Sequence, residues 1–449
     1  MIDAIERFLD ADADLVEIRG VSVDSAFVSV RSGKPDSAVN SSRSAFSVRV
    51  LKKGAFGFAS TNDEKKLKET LSVAMRLCRA AGKKSLKTTM SQEKTSVDSI
   101  KLKSKKPVSD FSLDEKVKKT LELNRLLKMK SVVGFDTTYR DAHFRHFYAS
   151  SEGSRVDFES DSSGIFHSVF AGKNGLVIKS SEGFSGLYGL ELADDAMEKT
   201  EDVAKRCVSL LRAKRVKPGV YDVVLGPKMS GTLAHEAVGH ACEADYVLMG
   251  ESILRGRIGE RIGSQHVSII DDPTLERFAG SYYYDDEGVK ARPTRIIDKG
   301  VLCSYLHSRE TAGKMKTHST GNARSQGVSR FPLVRMSNTV VETGDFSFDD
   351  IIDVRRGLYV EGVKGGQVMT SAGTYQFASE GGYIIENGEL KERVRDIVII
   401  GDILTTLKKV DAVGKDMAFN DPGTCGKGGQ GVPVSGSAPH MRIRGVRVA

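Results

Sequence analysis

The 449-residue sequence has no stretch of about 20 consecutive apolar residues, the length that a membrane-spanning helix requires. Its five cysteines are scattered without Cys-x-x-Cys spacing, which argues against a disulfide framework and suits a reducing compartment. Residues 1–10 have an acidic amphipathic pattern instead of the basic and apolar segments of a signal peptide. We therefore expect a cytoplasmic protein with no membrane partner.

Aromatic residues are nearly absent from the basic parts of the chain. The formal net charge is +8, and much of the excess lies in two local runs at residues 101–106 and 116–130. The second run follows a helical pattern, in which a solvated basic face is the usual explanation. Proteins that bind single strands stack bases on aromatic side chains, and these runs offer almost none. We therefore do not expect direct binding of nucleic acid.

The length of the chain allows two or three domains, each with its own core. The strongest boundary signal is Lys-Pro-Gly at residues 217–219. We predict an N-terminal α/β domain over residues 1–216, with a mainly antiparallel sheet and helices, and a β-rich C-terminal domain over residues 217–449. The fold class is therefore α+β.

Several helices can be placed within these domains. Capping-box patterns at residues 61–64 and 112–115 predict two helix starts, and an apolar stripe predicts a third helix over roughly 191–213. Residues 83–111, rich in Lys, Ser and Thr, are predicted to form an exposed connection. The C-terminal domain has short alternating runs and glycine turns, with few helices, one of them at residues 403–409.

The segment Gly-Thr-Leu-Ala-His-Glu-Ala-Val-Gly-His at residues 231–240 places two imidazoles and a carboxylate within six positions. Neutral imidazoles are zinc ligands, and a carboxylate beside a zinc ion can accept a proton from the water that the metal activates. The alternative is that these are hydrogen-bonded core histidines. Glu236 fits that alternative poorly, because it has no basic neighbour at helical spacing and a buried unpaired carboxylate is costly.

The spacing of the two histidines is unusual for a zinc helix. On a regular α-helix, positions five apart differ by about 140°, whereas positions four apart differ by about 40°. His235 and His240 therefore cannot both face one metal from an undistorted helix. We predict that the helix ends or widens into an i→i+5 turn at Val238-Gly239, where Gly239 is best able to adopt the required conformation.

An open zinc site needs a third protein ligand, and four residues are candidates. Cys242 follows His240 so closely that a second ligand there would be strained, and His307 and His440 have no feature that singles them out. Cys425 lies in a glycine-rich segment, predicted to be a loop, whose backbone could approach another element closely. That segment lacks the spacing of a phosphate-binding loop. Cys425 is therefore the preferred third ligand.

Several motifs extend the pattern over the rest of the chain. They are HEAVGHACEAD at 235–245, DDEG at 285–288, TGNAR at 320–324, MSNT at 336–339, GGQV at 365–368 and GTCGKGGQ at 423–430. In this order they resemble the TldD/PmbA metallopeptidase family. The likeness covers nearly the whole chain and is specific to the TldD branch, because the PmbA (TldE) branch lacks the HExxxH motif.

The resemblance implies zinc held by His235, His240 and Cys425, with Glu236 as the general base. It also implies an α/β N-terminal domain, a β-rich C-terminal domain and a closed dimer with an internal chamber. That dimer would be a homodimer or a heterodimer with a PmbA/TldE-like subunit, and its substrates would be unfolded or short peptides. We therefore predict a zinc metallopeptidase.

The alternative function is a non-catalytic metal-binding or regulatory subunit, similar to a gyrase modulator, that acts through protein partners. The carboxylate of Glu236 favours the enzyme, because a closed structural metal site gains nothing from such a group beside its ligands.

Overall fold

The computed structural model describes residues 8–82 and 88–449. It combines helices with extensive, mainly antiparallel sheets, so the predicted α+β class is confirmed. Within the described residues, no helix has the length and apolar character needed to cross a bilayer. The acidic amphipathic segment at residues 1–10 lies mostly outside the described ranges.

The N-terminal half is built on one seven-stranded sheet with three helices. Its strands are β1 (Leu15–Arg31), β2 (Lys34–Lys52), β3 (Ala55–Thr61), β4 (Val97–Leu102), β5 (Val132–Ser150), β6 (Arg155–Lys173) and β7 (Leu176–Gly186). Its α-helices are α1 (Leu67–Ala81), α2 (Leu113–Leu126) and α3 (Glu191–Leu210). The strand order is β3-β2-β1-β5-β6-β4, and β7 also pairs with β6.

Each of these helices covers a different part of the sheet. Helix α1 packs on β2 and β3, α2 packs on β1 and β5, and α3 packs on β6 and β7. The apolar stripe predicted for the third helix lies on the face that α3 buries, where Val203, Cys207 and Leu210 are fully buried. Cys78 and Cys207 lie in the resulting cores, fully buried among aliphatic side chains.

The helix start predicted at residues 112–115 is confirmed, whereas the capping box predicted at residues 61–64 does not form and the N-cap there is Asp63. Ser112 and Glu115 form a reciprocal capping box at the start of α2. Asp63 caps a 3₁₀ turn over Glu64–Lys66 that leads directly into α1. The exposed connection predicted over residues 83–111 was wrong in part, because β4 pairs in parallel with β6. Its side chains are mostly exposed, so it lacks the apolar alternation by which strands are recognised in a sequence.

The rest of the chain forms a ten-stranded sheet, a six-stranded sheet and a two-stranded ribbon. Its strands are β8 (Lys214–Arg215), β9 (Gly219–Leu225), β10 (Ile269–Asp271), β11 (Thr294–Asp298), β12 (Val301–Leu302), β13 (Ala323–Arg324), β14 (Leu333–Val334), β15 (Asn338–Val341), β16 (Arg356–Glu361), β17 (Gly365–Met369), β18 (Thr374–Ala378), β19 (Gly381–Glu386), β20 (Glu389–Arg395), β21 (Val398–Asp402), β22 (Val410–Val413), β23 (Ala418–Lys427), β24 (Gln430–Ala438) and β25 (Met441–Val448). Its α-helices are short: α4 (Pro227–Leu233), α5 (Ala244–Met249), α6 (Arg309–Met315), α7 (Phe348–Ile352) and α8 (Ile403–Lys408). The last of these confirms the helix predicted near residue 403.

The ten-stranded sheet has the order β17-β18-β21-β25-β9-β16-β19-β20-β8, with β22 also paired to β25. The six-stranded sheet has the order β12-β11-β10-β15-β24-β23, and β13 pairs with β14. Helix α4 contacts β16 of the first sheet and β15, β23 and β24 of the second. The candidate site begins directly after α4 and therefore lies in the core between the two sheets. The predicted division at residue 216 falls between β8 and β9 and stays a prediction.

Candidate metal centre

The backbone widens where the two histidines lie. Directly after α4, residues Ala234–Gly239 form a π-helical segment, in which the His240 N–H donates to the carbonyl oxygen of His235. This is the i→i+5 turn that the spacing predicted, and it brings the two imidazole rings to one side. Their centroids lie 5.4 Å apart.

Gly239 is required at this turn for space. Its φ of −56° and ψ of −52° are ordinary right-handed helical values, so the predicted conformational role for glycine was wrong. A Cβ atom on Gly239 would instead lie 1.9 Å from the sulfur of Met336, a fully buried side chain. Only glycine therefore lets the π-helical segment pack this closely against Met336.

Cys425 approaches the histidines from strand β23. Its sulfur lies 3.4 Å from Nε2 of His240, and the ligand atoms of His235, His240 and Cys425 all lie within 4.8 Å of one another. Within residues 8–82 and 88–449, these three form the one group of His, Cys, Asp or Glu side chains with that arrangement. The third candidate ligand thus lies where a common metal could reach it.

The segment that carries Cys425 is a β-hairpin, so the predicted glycine loop was wrong. Cys425 pairs with Val432 across β23 and β24, and only Gly428 and Gly429 form the turn, both with positive φ. The fully buried Arg335 fixes this hairpin, because its guanidinium donates to the carbonyl oxygens of Cys425 and Gln430.

The other candidate ligands lie in other environments. Burial raises the pKa of the Cys242 thiol, which is fully enclosed in the core. His307 contacts the Thr311 hydroxyl, and burial lowers its pKa to about 4. His440 lies between the carboxylate of Asp416 and the hydroxyl of Tyr359, which is 3.1 Å from its Nε2. None of the three belongs to the group around Cys425.

The donor set fits a zinc ion. Nδ1 of His235 lies 3.1 Å from the Thr339 hydroxyl, whereas its Nε2 is buried and has no hydrogen-bond partner in the described structure. A buried imidazole nitrogen without a partner is rare unless an ion or a water satisfies it. Two imidazoles and one thiolate are suitable ligands for a zinc site with an open position.

The charges of the three donor groups also favour a cation. Burial alone would raise the pKa of the Cys425 thiol, but the imidazoles of His235 and His240 beside it lower that pKa to about 5. Burial alone would lower the pKa of His240, but the Glu243 carboxylate and Cys425 raise it to about 10. The Cys425 thiolate and the protonated His240 ring thus stabilise each other, and a metal ion would take the place of the proton on His240.

A buried charged network behind His240 escaped the sequence analysis. Glu243 is fully buried, and its Oε2 lies 2.9 Å from Nδ1 of His240 and 3.1 Å from Nζ of Lys427. Lys427 also lies 2.7 Å from Asp245 and 4.1 Å from the ring centroid of Tyr246. A carboxylate that accepts the remaining N–H of a metal-bound histidine fixes its tautomer and orientation. The sequence contained one signal for the contact between these side chains, because Glu243 follows His240 by three positions.

Glu236 faces the open side of the centre. Its Oε2 lies 3.7 Å from Nε2 of His240, and its side chain is 35% exposed, whereas those of His235, His240 and Cys425 are buried. No described residue hydrogen-bonds its carboxylate, which is thus free to accept a proton from a molecule that enters the site.

Comparison with protein families covers most of the chain in three consecutive parts. Residues 16–78 match domain 1 of the PmbA/TldA metallopeptidases, residues 106–215 match the central domain, and residues 218–449 match the C-terminal domain. The chain belongs to the PmbA/TldD family. The resemblance seen in the sequence is thereby confirmed.

Relatives of this family member carry metalloprotease names. A protein named metalloprotease from Methanocaldococcus jannaschii is 36% identical over 437 residues, which cover 96% of each chain. Another from Methanothermobacter thermautotrophicus is 37% identical over 97% of this chain and 95% of its own. A zinc metalloprotease TldD homolog from Saccharolobus solfataricus is 34% identical over 71% of this chain and 72% of its own.

Solved structures show the same fold. A crystal structure from Thermotoga maritima, described as a proposed modulator of a DNA gyrase, superposes with a TM-score of 0.83 at 23% identity and covers 100% of both chains. TldE from Thermococcus kodakarensis superposes with a TM-score of 0.78 at 20% identity, over 100% of this chain and 99% of its own. At these identities the likeness concerns the fold alone.

Proposed function

We propose that this family member is a zinc-dependent peptidase that hydrolyses unfolded or short peptides. The observation that carries the proposal is the unpartnered Nε2 of His235, which lies with the Cys425 thiolate and His240 around one point beside the open Glu236 carboxylate. In this proposal His235, His240 and Cys425 hold the metal, and Glu236 is the general base.

Zinc in such a site supplies a Lewis acid that lowers the pKa of a water molecule and polarises a substrate carbonyl. The chain's own residues move the proton. Glu236 takes it from the attacking water and returns it to the leaving amine, because its carboxylate lies beside the ligand group and its side chain is partly exposed. Glu243 holds the His240 ring with Nε2 turned toward the centre.

Strand β17 is the place where we propose that substrate binds. It is the end strand of the ten-stranded sheet, pairs only with β18 and contacts the π-helical segment. Most of its residues are exposed, so its free edge can pair with an extended peptide. Strand addition recognises the backbone and leaves side-chain preference loose, as a peptidase of unfolded chains requires. This edge corresponds to the GGQV motif.

The proposal includes an assembly and a location. We propose a homodimer or a heterodimer with a PmbA/TldE-like subunit, in the cytoplasm. The alternative is a regulatory subunit that acts through protein partners, the kind of role named in the description of the Thermotoga structure. The exposed Glu236 beside a complete ligand set favours the peptidase, since a regulatory subunit has no use for that carboxylate.

One experiment separates these two functions. Zinc content and cleavage of an internally quenched, unstructured peptide are measured for the wild type, Glu236→Gln and Glu251→Gln, a control at an exposed glutamate. We expect all three to retain zinc, and Glu236→Gln to lose about 10²- to 10⁴-fold in rate. A zinc-loaded wild type without hydrolysis, alone or with a TldE-like partner, would support the regulatory function. Equal rates for wild type and Glu236→Gln would contradict the general-base role.

A further inference from the structure

A cleft of about 590 Å³ lies on the opposite face of the hairpin that carries Cys425. This volume is within the range of small-molecule and peptide-fragment sites. Pro422 and Thr424 of β23 line the cleft, and successive residues of a strand point to opposite faces. Cys425 therefore faces the metal centre, while its neighbour Thr424 faces the cleft. The cleft walls include neither His235 nor His240, and they do not include Glu236.

The other wall is one face of the seven-stranded sheet. Alternate residues of β5, including Arg140, Phe144 and His146, lie beside alternate residues of β6, including Phe158 and Phe166. The rings of Phe144 and Phe158 contact each other edge to face, with centroids 5.6 Å apart. This wall gives the cleft an apolar, aromatic floor large enough for a side chain with a ring.

Two arginines in the cleft have no carboxylate partner in the described part of the chain. The Arg140 guanidinium lies between the rings of Phe27 and Phe166, 5.7 and 5.8 Å from their centroids. The Arg324 guanidinium lies 5.0 Å from the Tyr282 ring centroid and donates only to backbone carbonyls. Stacking on rings holds both guanidiniums in place. The charge of Arg324 is partly compensated by the carboxylates of Asp271 and Asp286, whereas Arg140 has no carboxylate within ion-pair distance in the described residues.

Two of the three aspartates that line the cleft have ion-pair partners other than Arg140 and Arg324. Asp286 pairs with Arg19 at 3.1 Å, and Asp141 pairs with Lys116 at 2.7 Å. The Asp285 carboxylate accepts backbone N–H groups, including that of Val289 at 2.9 Å. Three arginines and three aspartates line the cleft, and Arg140 is the cation beside the aromatic floor that lacks an ion-pair partner among the described residues.

We propose that this cleft binds a short peptide through its C-terminal carboxylate, with an aromatic or bulky apolar terminal side chain on the phenylalanine floor. Guanidinium groups recognise carboxylates through paired, charge-assisted hydrogen bonds, and the aromatic rings supply the apolar contact. A carboxylate suits the site better than a doubly charged phosphate, because Asp286 lies in the same wall. The site is independent of the proposed hydrolysis.

The absence of tryptophan from the sequence makes this site directly measurable. The fluorescence anisotropy of N-acetyl-tryptophan, of its uncharged amide and of acetyl-Ala-Ala-Trp with a free carboxylate reports only the ligand. Binding is measured for the full chain with and without a metal chelator. We expect the carboxylates to bind at least about tenfold more tightly than the amide, the tripeptide to bind most tightly, and chelation to change neither.

Variants on the same sheet locate the site. Arg140→Gln should weaken the binding of both carboxylates about tenfold and leave the amide unchanged. Arg43→Gln is the matched control, because Arg43 is an exposed arginine of β2 that does not line the cleft, and it should change nothing. Phe166→Leu should weaken all three ligands, since Phe166 contributes to the apolar floor.

Several outcomes would overturn the proposal. These are the absence of saturable binding, the loss of binding on chelation, and equal effects of Arg140→Gln and Arg43→Gln. Tighter binding of the free amino acid derivative than of the tripeptide would overturn the assignment to a peptide terminus. Displacement of the ligand by a short oligothymidylate at micromolar concentration would assign the cleft to single-stranded nucleic acid instead.

Discussion

The sulfur of Cys425 lies 3.4 Å from Nε2 of His240, although the two residues are 185 positions apart in the chain. One belongs to a π-helical segment and the other to a hairpin of the six-stranded sheet. The site therefore exists only after the sheets of the C-terminal half have assembled around α4. Mutations that loosen the hairpin should weaken metal binding even when they are far from the histidines.

The first prediction concerns which cysteine binds the metal. Loss of an outer-shell partner typically lowers zinc affinity by about 10- to 100-fold. Cys425→Ala should lower the affinity by more than this, because it removes a ligand. The measurement is competition with a fluorescent zinc chelator. Cys242→Ala, which removes a buried thiol on the same segment as His240, is the control and should keep zinc affinity. Equal losses in the two variants would contradict the assignment of Cys425.

The second prediction concerns the contact between the π-helical segment and Met336. Gly239→Ala places a methyl group against the Met336 sulfur and should destabilise the protein by about 1–3 kcal/mol. Thermal unfolding of the metal-free and zinc-loaded forms measures this loss. In a Met336→Ala background, which lacks the clashing sulfur, Gly239→Ala should cost less stability than it does in the wild type. Gly426→Ala, in the Cys425 hairpin, has open space around its Cβ position and should be neutral.

The third prediction concerns the carboxylate behind His240. Glu243→Gln should weaken zinc binding by about 10- to 100-fold, because the amide no longer holds the imidazole with a charged acceptor. Isothermal titration of zinc provides the affinity. Glu251→Gln is again the control at an exposed glutamate. Unchanged affinity in Glu243→Gln would show that the network of Glu243 and Lys427 serves stability alone.

The fourth prediction concerns His167, which is buried between the hydroxyls of Thr137 and Thr200 at 3.0 and 3.2 Å. Burial lowers its pKa to about 4. The unfolded chain binds this proton below about pH 6.5, so stability is constant above that pH and decreases as the pH falls toward 4. The loss at pH 5 is about 2 kcal/mol.

In His167→Gln, the unfolding free energies at pH 7 and pH 5 should differ by about 2 kcal/mol less than they do in the wild type. Denaturant titration at the two pH values measures this difference. The absolute stability of the variant can also change, so the informative quantity is the difference between the two pH values. His318→Gln is the control, because His318 is 76% exposed and should leave the pH dependence unchanged. The same dependence in wild type and His167→Gln would contradict the prediction.

Local signals in the sequence predicted local structure well. The capping box at Ser112 depends on two side chains three residues apart, and it is present. The five-residue spacing of His235 and His240 indicated that the helix ends or widens between them, because a regular α-helix cannot bring both rings to one side. The strand β4 was missed because its exposed side chains carry no periodic signal, and its pairing with β6 is a long-range event.

What the sequence by itself determined is the chemistry of the candidate centre: two imidazoles, a carboxylate beside them, a preferred thiol and a backbone that must widen between the histidines. Only the tertiary structure decided why Gly239 must be glycine, since the Met336 sulfur comes from a distant segment. It also decided the partner of His240, since Lys427 and Glu243 meet across the core. Composition and spacing are properties of neighbours in the chain, whereas space, burial and paired charge arise from residues that folding brings together.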